Sequence, residues 1–384
     1  MKLPSPPLRG PSPAAAGEGG RRPGEGSRVA IVGPVYPFRA GIAYCTTRLA
    51  EELGADVISF KRQFPRRFYP GGDDIDPTLP RADADFLLDI LNPLTWLRAG
   101  WRLRGYDAVI FVWWIWVWAL PYRILVAMLP RRTMVILQCH NIGDKEPAWW
   151  KRWLTNRVLR SGDVLVVHAA TEGEEAWRRS RGRRVVRTFL PVHELGREIP
   201  SRDDAKRALG LEGRNVALFF GHVRPFKGLD IALRAWPEVT SDVTLLVAGE
   251  AWWNSADEYR RTTNDQRIRF EFRFIPDAEI ATYFAAADVV LAPYRIEAQS
   301  GVALTAFHFA RPVIATRVGG LPEIIDGSNG ILVPPDDPAA LARAVDEFFT
   351  ARDRASMERA AEATARKHSW PEYASVFKAL VSGR

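Results

Sequence analysis

The chain has 384 residues, with 53 basic and 45 acidic side chains and a formal net charge of +8. Hydrophobic residues at 47% and charged residues at 26% are typical of a globular protein, so this length predicts a buried core in one large domain or two. Two cysteines exclude a disulfide scaffold and cannot supply four zinc ligands. The basic excess leaves nucleic acid, anionic membrane and phosphorylated ligands open as partners.

The basic residues and the 14 tryptophans are distributed unevenly. Residues 28–195 hold 25 basic and 17 acidic side chains and ten of the tryptophans, whereas residues 196–384 hold 24 basic and 26 acidic ones. A basic face with interfacial Trp suits an anionic membrane surface, so we expect peripheral attachment through residues 28–195. The basic residues follow no recognisable nucleic-acid-binding motif, so we expect no nucleic-acid partner.

Two segments bear on targeting and membranes. Residues 1–27 are rich in Pro, Gly, Ala and Arg without an apolar run, which predicts a disordered tail or an overextended start and not a signal peptide. Residues 109–120 are all apolar, but Pro121 and Arg123 follow, and a membrane-spanning helix needs roughly 20 apolar residues. This segment is therefore predicted to be a buried strand running into an apolar helix, or an interfacial segment.

Short apolar runs alternate with amphipathic stretches along the chain. In the first half the pattern predicts a helix at 42–53 and strands at 28–33, 55–60, 108–112, 134–138 and 164–168. In the second half it predicts helices at 205–209, 229–236, 278–286, 301–309 and 372–380, and strands at 216–220, 244–248, 269–274, 289–292 and 313–315. Such alternation predicts the α/β class, with two doubly wound domains that join near 191–200.

Ligands of open parallel sheets bind at the carboxyl ends of the strands, and three motifs of the second half lie there. The first, GHVRPFKGLD at 221–230, places Arg224 and Lys227 beside a helix start, which suits a diphosphate; the alternative is a solvated basic loop. The second, at 294–312, has Glu297 in a loop before a helix whose first turn is small. The third, GGLPEII at 319–325, has Glu323 in the first turn of a helix, another anion-accepting end.

Two places in the first half also follow strands. The loop 33–41 joins the first strand to the first helix, the usual phosphate side of such a sheet. His140 ends the strand at 134–138 and is expected to point into the same cleft. Both a structural and a functional role stay open for this histidine.

The order and spacing of three segments carry a family resemblance. With GHVRPFKGLD, RFIPDAEIATYFAAADVVLAPY (273–294) and ARPVIATRVGGLPEIIDGSNGILVPPDDP (310–338), the chain resembles the retaining family 4 glycosyltransferases, or glycosyl transferases group 1, from residue 28 onwards. The resemblance implies the GT-B fold, two Rossmann-like domains facing across a cleft. It implies an acceptor-binding domain at 28–193, a nucleotide-sugar-binding domain at 194–370, and a last helix in 371–384 that returns to the first domain.

The resemblance also assigns roles to single residues. It implies that Arg224 and Lys227 bind the donor diphosphate, that Glu297 contacts the donor sugar as the first acid of the E-x7-E motif, and that His140 lies near the transferred sugar. With the glycine-rich third motif, it implies a donor-binding set of Gly41, Phe274, Ile275, Ser300, Gly301, Val302, Thr305 and Glu323.

Three positions depart from the family pattern. Thr305 stands where the second acid of E-x7-E holds the ribose hydroxyls. A neutral hydroxyl forms a weaker hydrogen bond than a carboxylate, so nucleotide recognition is expected to be weakened or altered. Ala40 stands where a glycine is common, and His222 stands where an arginine often follows the glycine.

The resemblance implies a hexosyltransferase that acts with retention of configuration on a UDP- or GDP-sugar and needs no cofactor or metal. The implied acceptor is lipid-linked or a saccharide, in lipid-linked glycan or exopolysaccharide biosynthesis, on the cytoplasmic face of the cell membrane. The pairs Asp74/Asp76 and Asp83/Asp85 resemble metal-binding motifs but are expected to form a solvated loop. A non-catalytic accessory subunit and a sugar-nucleotide epimerase are the alternatives.

Overall fold

The computed structural model describes residues 27–39, 41–64, 74–143, 148–194, 199–251, 255–296 and 299–383. Within these ranges the chain forms two parallel sheets, one of seven strands and one of six. The predicted α/β class with two doubly wound sheets is therefore confirmed. The predicted disordered tail lies outside the described residues, apart from Ser27.

The first sheet occupies the first half of the chain. Its strands are β1 (Val29–Val32), β2 (Asp56–Arg62), β3 (Asp85–Asp89), β4 (Ala108–Trp113), β5 (Met134–Cys139), β6 (Val164–Val167) and β7 (Arg184–Arg187). Its helices are α1 (Gly41–Leu53), α2 (Pro93–Leu103), α3 (Ala119–Met128), α4 (Trp149–Leu159) and α5 (Ala170–Ser180). The spatial order is β3-β2-β1-β4-β5-β6-β7. Every residue of β4 and β5 is buried, as expected for central strands covered by helices on both faces.

The second sheet follows the same plan. Its strands are β8 (Asn215–Phe220), β9 (Val243–Ala248), β10 (Ile268–Glu271), β11 (Val289–Ala292), β12 (Val313–Thr316) and β13 (Gly330–Val333), in the order β10-β9-β8-β11-β12-β13. Its helices are α6 (Arg202–Ala208), α7 (Leu229–Ala235), α8 (Ser255–Arg261), α9 (Asp277–Ala286), α10 (Gly301–His308), α11 (Leu321–Ile324), α12 (Pro338–Thr350) and α13 (Arg354–Lys367). The chain then ends in α14 (Trp370–Ser382).

The order of strands fixes where ligands can bind. In the first sheet the chain leaves β1 towards β2 on one side, and β4 lies on the other side. In the second sheet β8 is likewise flanked by β9 and β11. Connections from the two sides of such a switch point diverge and leave a crevice at the carboxyl ends of the strands. Each sheet therefore has a crevice at its centre.

Two connections join the halves and lie side by side. The linker between β7 and α6 includes Val192, whose N–H donates to the carbonyl of His368 at 2.9 Å. The indole N–H of Trp370, at the start of α14, donates back to the Val192 carbonyl at 3.0 Å. α14 then packs against α1 of the first sheet, with Trp370 against the ring of Tyr44 at 5.8 Å.

Every element predicted from the sequence is present, with its ends shifted by at most three residues. The apolar segment 109–120 is a buried strand, β4, that leads through a short 3₁₀ turn into α3, so the predicted strand and apolar helix are confirmed. In the described ranges, no helix is both long enough and apolar enough to span a bilayer. The pattern did not predict β3, β7, β13, α2, α4, α5, α8, α12 or α13.

Candidate active site

A cavity of about 400 Å³ lies between the carboxyl ends of the two sheets. The first half contributes residues that follow β1, β5 and β6 or belong to the linker, namely Gly41, Ile42, Tyr44, Cys45, His140, His168, Leu190 and His193. The second half contributes residues that follow β8, β9, β10 and β11, among them His222, Lys227, Glu250, Phe274, Ile275, Gln299, Gly301, Val302 and Thr305. The structure therefore brings most of the predicted site residues together.

The loop after β8 places Lys227 in this cavity. It makes a 3₁₀ turn at Pro225–Lys227 and then reaches Gly228 at φ +69°, a left-handed conformation that glycine adopts without strain. A Cβ on Gly228 would overlap the carbonyl oxygen of Pro293, so only glycine lets the loop approach the end of β11 this closely. The Lys227 ammonium then lies 3.8 Å from the ring centroid of Tyr294, an attractive cation–π geometry.

An ion-pair network holds the same loop against the next one. Arg295 donates to both carboxylate oxygens of Asp230 at 2.7 Å and to Asp336 at 2.6 Å. Its guanidinium also donates to the carbonyl of Pro225 at 2.8 Å, directly within the turn. The bonded Arg295 lowers the pKa of Asp230 despite partial burial, so this carboxylate stays ionised.

The start of α10 is a ready acceptor of negative charge. The Ser300 side chain accepts the N–H of Ala303 at 3.2 Å and caps the helix, while Gly301 and Val302 line the cavity. The first N–H groups of a helix have no partner within it, and the helix dipole adds partial positive charge at that end. Ser300 is itself buried at 1% exposure, so it acts here as the cap, and the backbone that follows it faces the cavity.

Thr305 lies one turn further along α10 and also lines the cavity. Its hydroxyl donates to the Gly301 carbonyl at 2.8 Å, and the side chain is 4% exposed. The hydroxyl proton is therefore used within the helix, so towards a ligand the oxygen can act only as an acceptor. Glu297, the first acid of the motif, lies outside the described residues.

Two histidines follow neighbouring strands of the first sheet. The rings of His140 and His168 lie 5.1 Å apart, and His168 Nε2 is 2.8 Å from the hydroxyl of Tyr373 on α14. Gln138 donates to the same hydroxyl at 2.8 Å. Burial lowers the pKa of His168 to about 4 and that of His140 well below its usual value, so both imidazoles are neutral at pH 7. The Nε2 atom of His140 is buried and makes no hydrogen bond to another described residue.

The loop after β10 meets the first half at the rim of the cavity. Phe274 lies under the guanidinium of Arg39 at 4.1 Å, and Ile275 is 6% exposed. The Tyr36 hydroxyl donates to Asp277 at 2.9 Å, a bond that joins the loop after β1 to the first turn of α9. Both predicted residues of this segment therefore line the cavity, beside a direct contact between the two halves.

Glu323 is not among the described residues that line the cavity. Its Oε1 accepts the backbone N–H of Ala170 at 2.9 Å and so binds the start of α5 in the other half. The helix that carries it, α11, has only four residues. Its assignment to donor binding stays a prediction.

Some residues of the cavity that the sequence did not single out lie just after a strand or in the linker, and others, such as Tyr44 and Cys45, lie within α1. His168 and Glu250 follow β6 and β9 by the same rule that located His140, so that rule applied to every strand would have found them. Glu250 lies 3.7 Å from His222, whose pKa is lowered to about 4 by burial and by the nearby Arg224 and Lys227. The linker residue His193 has no local signal.

One aspartate of each pair differs from the expectation of a solvated loop, while Asp83 is exposed in a bend as expected. Asp76 is 1% exposed, and its Oδ1 accepts both the N–H and the hydroxyl of Thr78 at 2.9 and 2.6 Å. Asp85 begins β3 and pairs with Arg102. In the ranges with described coordinates, no three His, Cys, Asp or Glu residues are grouped as metal ligands.

Comparisons with known proteins agree with this geometry. The sequence profile of the glycosyl transferases group 1 family matches residues 214–351. A D-inositol 3-phosphate glycosyltransferase of Corynebacterium efficiens is 30% identical over 317 residues, which cover 77% of this chain and 71% of that protein. The chain belongs to the family 4 glycosyltransferases.

Other relatives share less of their length with the chain. A D-inositol 3-phosphate glycosyltransferase of Corynebacterium diphtheriae is 27% identical over 280 residues, 68% of this chain and 62% of the relative. The D-inositol 3-phosphate glycosyltransferase of Saccharomonospora viridis is 33% identical over 56% of this chain and 54% of the relative. The chain thus spans somewhat over half the length of these two relatives.

Solved structures with the same fold cover nearly the whole chain. Anabaena HepE in complex with UDP and glucose aligns with a TM-score of 0.74 at 16% identity, over 93% of this chain and 100% of that one. A sucrose-phosphate synthase of Thermosynechococcus elongatus aligns with a TM-score of 0.72 at 20% identity, with the same coverage. At these identities the likeness confirms the expected GT-B fold.

Proposed function

We propose that the chain transfers a hexose-type sugar from a UDP- or GDP-sugar to an acceptor hydroxyl, with retention of the anomeric configuration. The observation that carries the proposal is the meeting of Lys227, the start of α10 and the two buried histidines in one cavity. The cation and the helix end suit a diphosphate, and the neutral histidines suit uncharged sugar hydroxyls. Family membership supports the same chemistry.

In the proposed reaction the bond between the anomeric carbon and the diphosphate oxygen breaks, and negative charge grows on the diphosphate. Lys227 and the start of α10, with the N–H groups of Gly301 and Val302, already line the cavity, so they can stabilise that charge with little reorganisation. The oxygen of the acceptor hydroxyl bonds to the same face of the sugar, and its proton passes to the departing diphosphate. His140 Nε2, buried and without a described partner, is placed to donate to a hydroxyl of the sugar.

The test is turnover of a panel of UDP- and GDP-hexoses with lipid and saccharide acceptors. We expect acceptor-dependent release of nucleoside diphosphate, a product with the donor's anomeric configuration by NMR, and unchanged rates in EDTA. Epimerised donor without acceptor would identify an epimerase instead. Release of no nucleotide from any donor would favour an accessory subunit. Activity lost in EDTA and restored by manganese would contradict the metal-independent mechanism.

We also propose that the acceptor is lipid-linked, used in glycan or exopolysaccharide assembly, and that the chain attaches to the anionic cytoplasmic face of the cell membrane. The support is an exposed apolar surface on α2, α3 and α4, which we call the tryptophan face. The three helices pack side by side on the same side of the first sheet. The large apolar side chains exposed on them are Leu94, Leu97, Trp101, Leu120, Trp149, Trp150 and Trp153.

The charge of the tryptophan face complements an anionic bilayer. Its three helices contain six basic and no acidic side chains: Arg98, Arg102, Arg123, Lys151, Arg152 and Arg157. Trp101 and Trp149 are 72% and 77% exposed, far more than tryptophans of a closed core. An apolar surface ringed by basic residues binds the interface of an anionic membrane, with about 1 kcal/mol for each well-placed basic side chain.

Co-sedimentation with vesicles tests this attachment. We expect binding to phosphatidylglycerol vesicles at low salt and weak binding to phosphatidylcholine. Trp101→Ala combined with Trp153→Ala should weaken vesicle binding about tenfold, because the substitutions remove two exposed indoles that would enter the membrane interface. The matched control is Trp177→Ala, an equally exposed tryptophan on α5, which carries three glutamates. Equal losses in the control and the double variant would argue against the tryptophan face.

A further inference from the structure

The linker histidine His193 lies between the first residues of two helices. A Cβ added to Gly41, at the start of α1, would come within 2.8 Å of its Cε1 atom, and so would a Cβ added to Gly301, at the start of α10. Such distances are shorter than Cβ contacts allow, so both positions need glycine to admit the imidazole. The ring is 8% exposed and lines the cavity.

A thiol fixes which nitrogen of His193 carries the proton. The Nε2 atom lies 3.3 Å from the Sγ of Cys45, within hydrogen-bond reach for sulfur. Burial raises the pKa of the Cys45 thiol far above its usual value, so the group stays S–H and can donate to Nε2. Burial also lowers the pKa of His193 to about 4, so the ring is neutral, and with the thiol donating to Nε2 its one proton is on Nδ1.

The other ring nitrogen of His193, Nδ1, lies beside the starts of both helices. Nδ1 lies 3.3 Å from the Cβ position of Gly301 and 3.6 Å from that of Gly41, between the two helix starts. It makes no hydrogen bond to another described residue. Two helix N-termini point their free N–H groups and partial positive charge at the same space, which favours negative charge there.

We infer that His193 is a donor-binding residue whose Nδ1–H donates to an oxygen of the donor diphosphate, and that Cys45 positions it by fixing the tautomer. The inference rests on the proposed function, because the donor supplies the diphosphate. His193 belongs to the linker, so its bond ties the occupied donor site to the connection between the two halves.

Calorimetric titration of the full chain with UDP, UMP, GDP and GMP tests this role. His193→Asn keeps an N–H donor near the position of Nδ1, and His193→Leu has nearly the same shape without a donor. We expect the Leu variant to lose about tenfold or more of diphosphate affinity, with monophosphate affinity changed less than about twofold. The Asn variant should keep most of the wild-type preference for diphosphate.

A second pair tests the positioning residue and does not depend on the first. Cys45→Ser keeps a donor to Nε2, whereas Cys45→Ala allows the other tautomer. We expect a loss of diphosphate preference for Ala and little for Ser, with similar melting temperatures. Wild-type preference retained in His193→Leu, or lost equally in His193→Asn, would overturn the inference alone. A wild-type chain that binds neither UDP nor GDP would overturn the proposed function as well.

Discussion

Lys227 shows how one residue's role depends on contacts that are remote in sequence. The motif around it indicates a diphosphate site, but its position is set by the ring of Tyr294 and by the network of Arg295 and Asp230. Asp230 belongs to the same motif, but Tyr294 and Arg295 lie 67 and 68 residues beyond Lys227, and no local pattern joins them to it. A single motif therefore predicts the charge at this site, and the fold determines where the charge lies.

Removal of the Lys227 charge is expected to slow the reaction strongly. Lys227→Ala should lower kcat/KM about 100-fold or more, because one preformed group aimed at the developing charge is removed. The measurement is initial rates with the best donor of the panel. Lys378→Ala, an exposed lysine on α14 far from the loop, is the control and should retain wild-type kinetics. Near wild-type turnover in Lys227→Ala would reject the assigned role.

Much of the site was predictable because the carboxyl ends of parallel strands converge. That rule and the family pattern located His140, Lys227, Gly301 and Thr305. It could not locate His193, since the linker has neither helical nor strand periodicity and its approach to Gly41 exists only in the folded chain. Glu323 followed the rule, yet its carboxylate binds α5, which the sequence does not reveal.

Among the elements, α14 connects the C-terminal part of the chain to His168 of the cavity. Tyr373 is fully buried, and its hydroxyl is shared by His168 of the first sheet and Gln138 of β5. The helix itself was predicted from its apolar period and the preceding break. Strand β7 was not predicted. It is an edge strand with an exposed arginine at each end, so it lacks an apolar run.

Loss of the Tyr373 hydroxyl should weaken the fold. Tyr373→Phe leaves two buried polar groups without their partner, which is expected to lower the free energy of unfolding by about 1–3 kcal/mol. Urea titration would show this as a lower midpoint at constant slope. The control is Tyr106→Phe, whose hydroxyl bonds the exposed Asp56 and whose loss should change stability by less than about 0.5 kcal/mol. Equal stability of the two variants would contradict the argument.

At the scale of the whole molecule, buried neutral histidines make stability depend on pH. The pKa values of His168 and His193 are lowered from 6.5 to about 4 by burial. Between these values the unfolded chain binds protons that the native chain does not, so stability rises with pH in this window. The stability that the two neutral histidines allow is fully present above pH 6.5, and it is lost as the pH falls towards 4.

This pH dependence of the free energy of unfolding can be measured. From pH 7 to pH 5 each of the two histidines should lower the free energy of unfolding by about 2 kcal/mol. His193→Asn removes one of them, so its stability should fall less steeply over the same interval, whatever its value at pH 7. Urea titrations of both proteins at pH 7, 6 and 5 check this. Identical slopes would show that His193 does not titrate as described.

The paired crossings at Val192 and Trp370 have a consequence for motion. Two separate tethers at distant points would lock the halves together, and a single free tether would let them tumble in any direction. Here the linker and the start of α14 are hydrogen-bonded to each other at 2.9 and 3.0 Å, so the two connections act as a single joint. A rotation of the halves about this joint would have to break the bonds between them, among them the Tyr36–Asp277 bond on the cavity rim and the bond from the Ala170 N–H to Glu323.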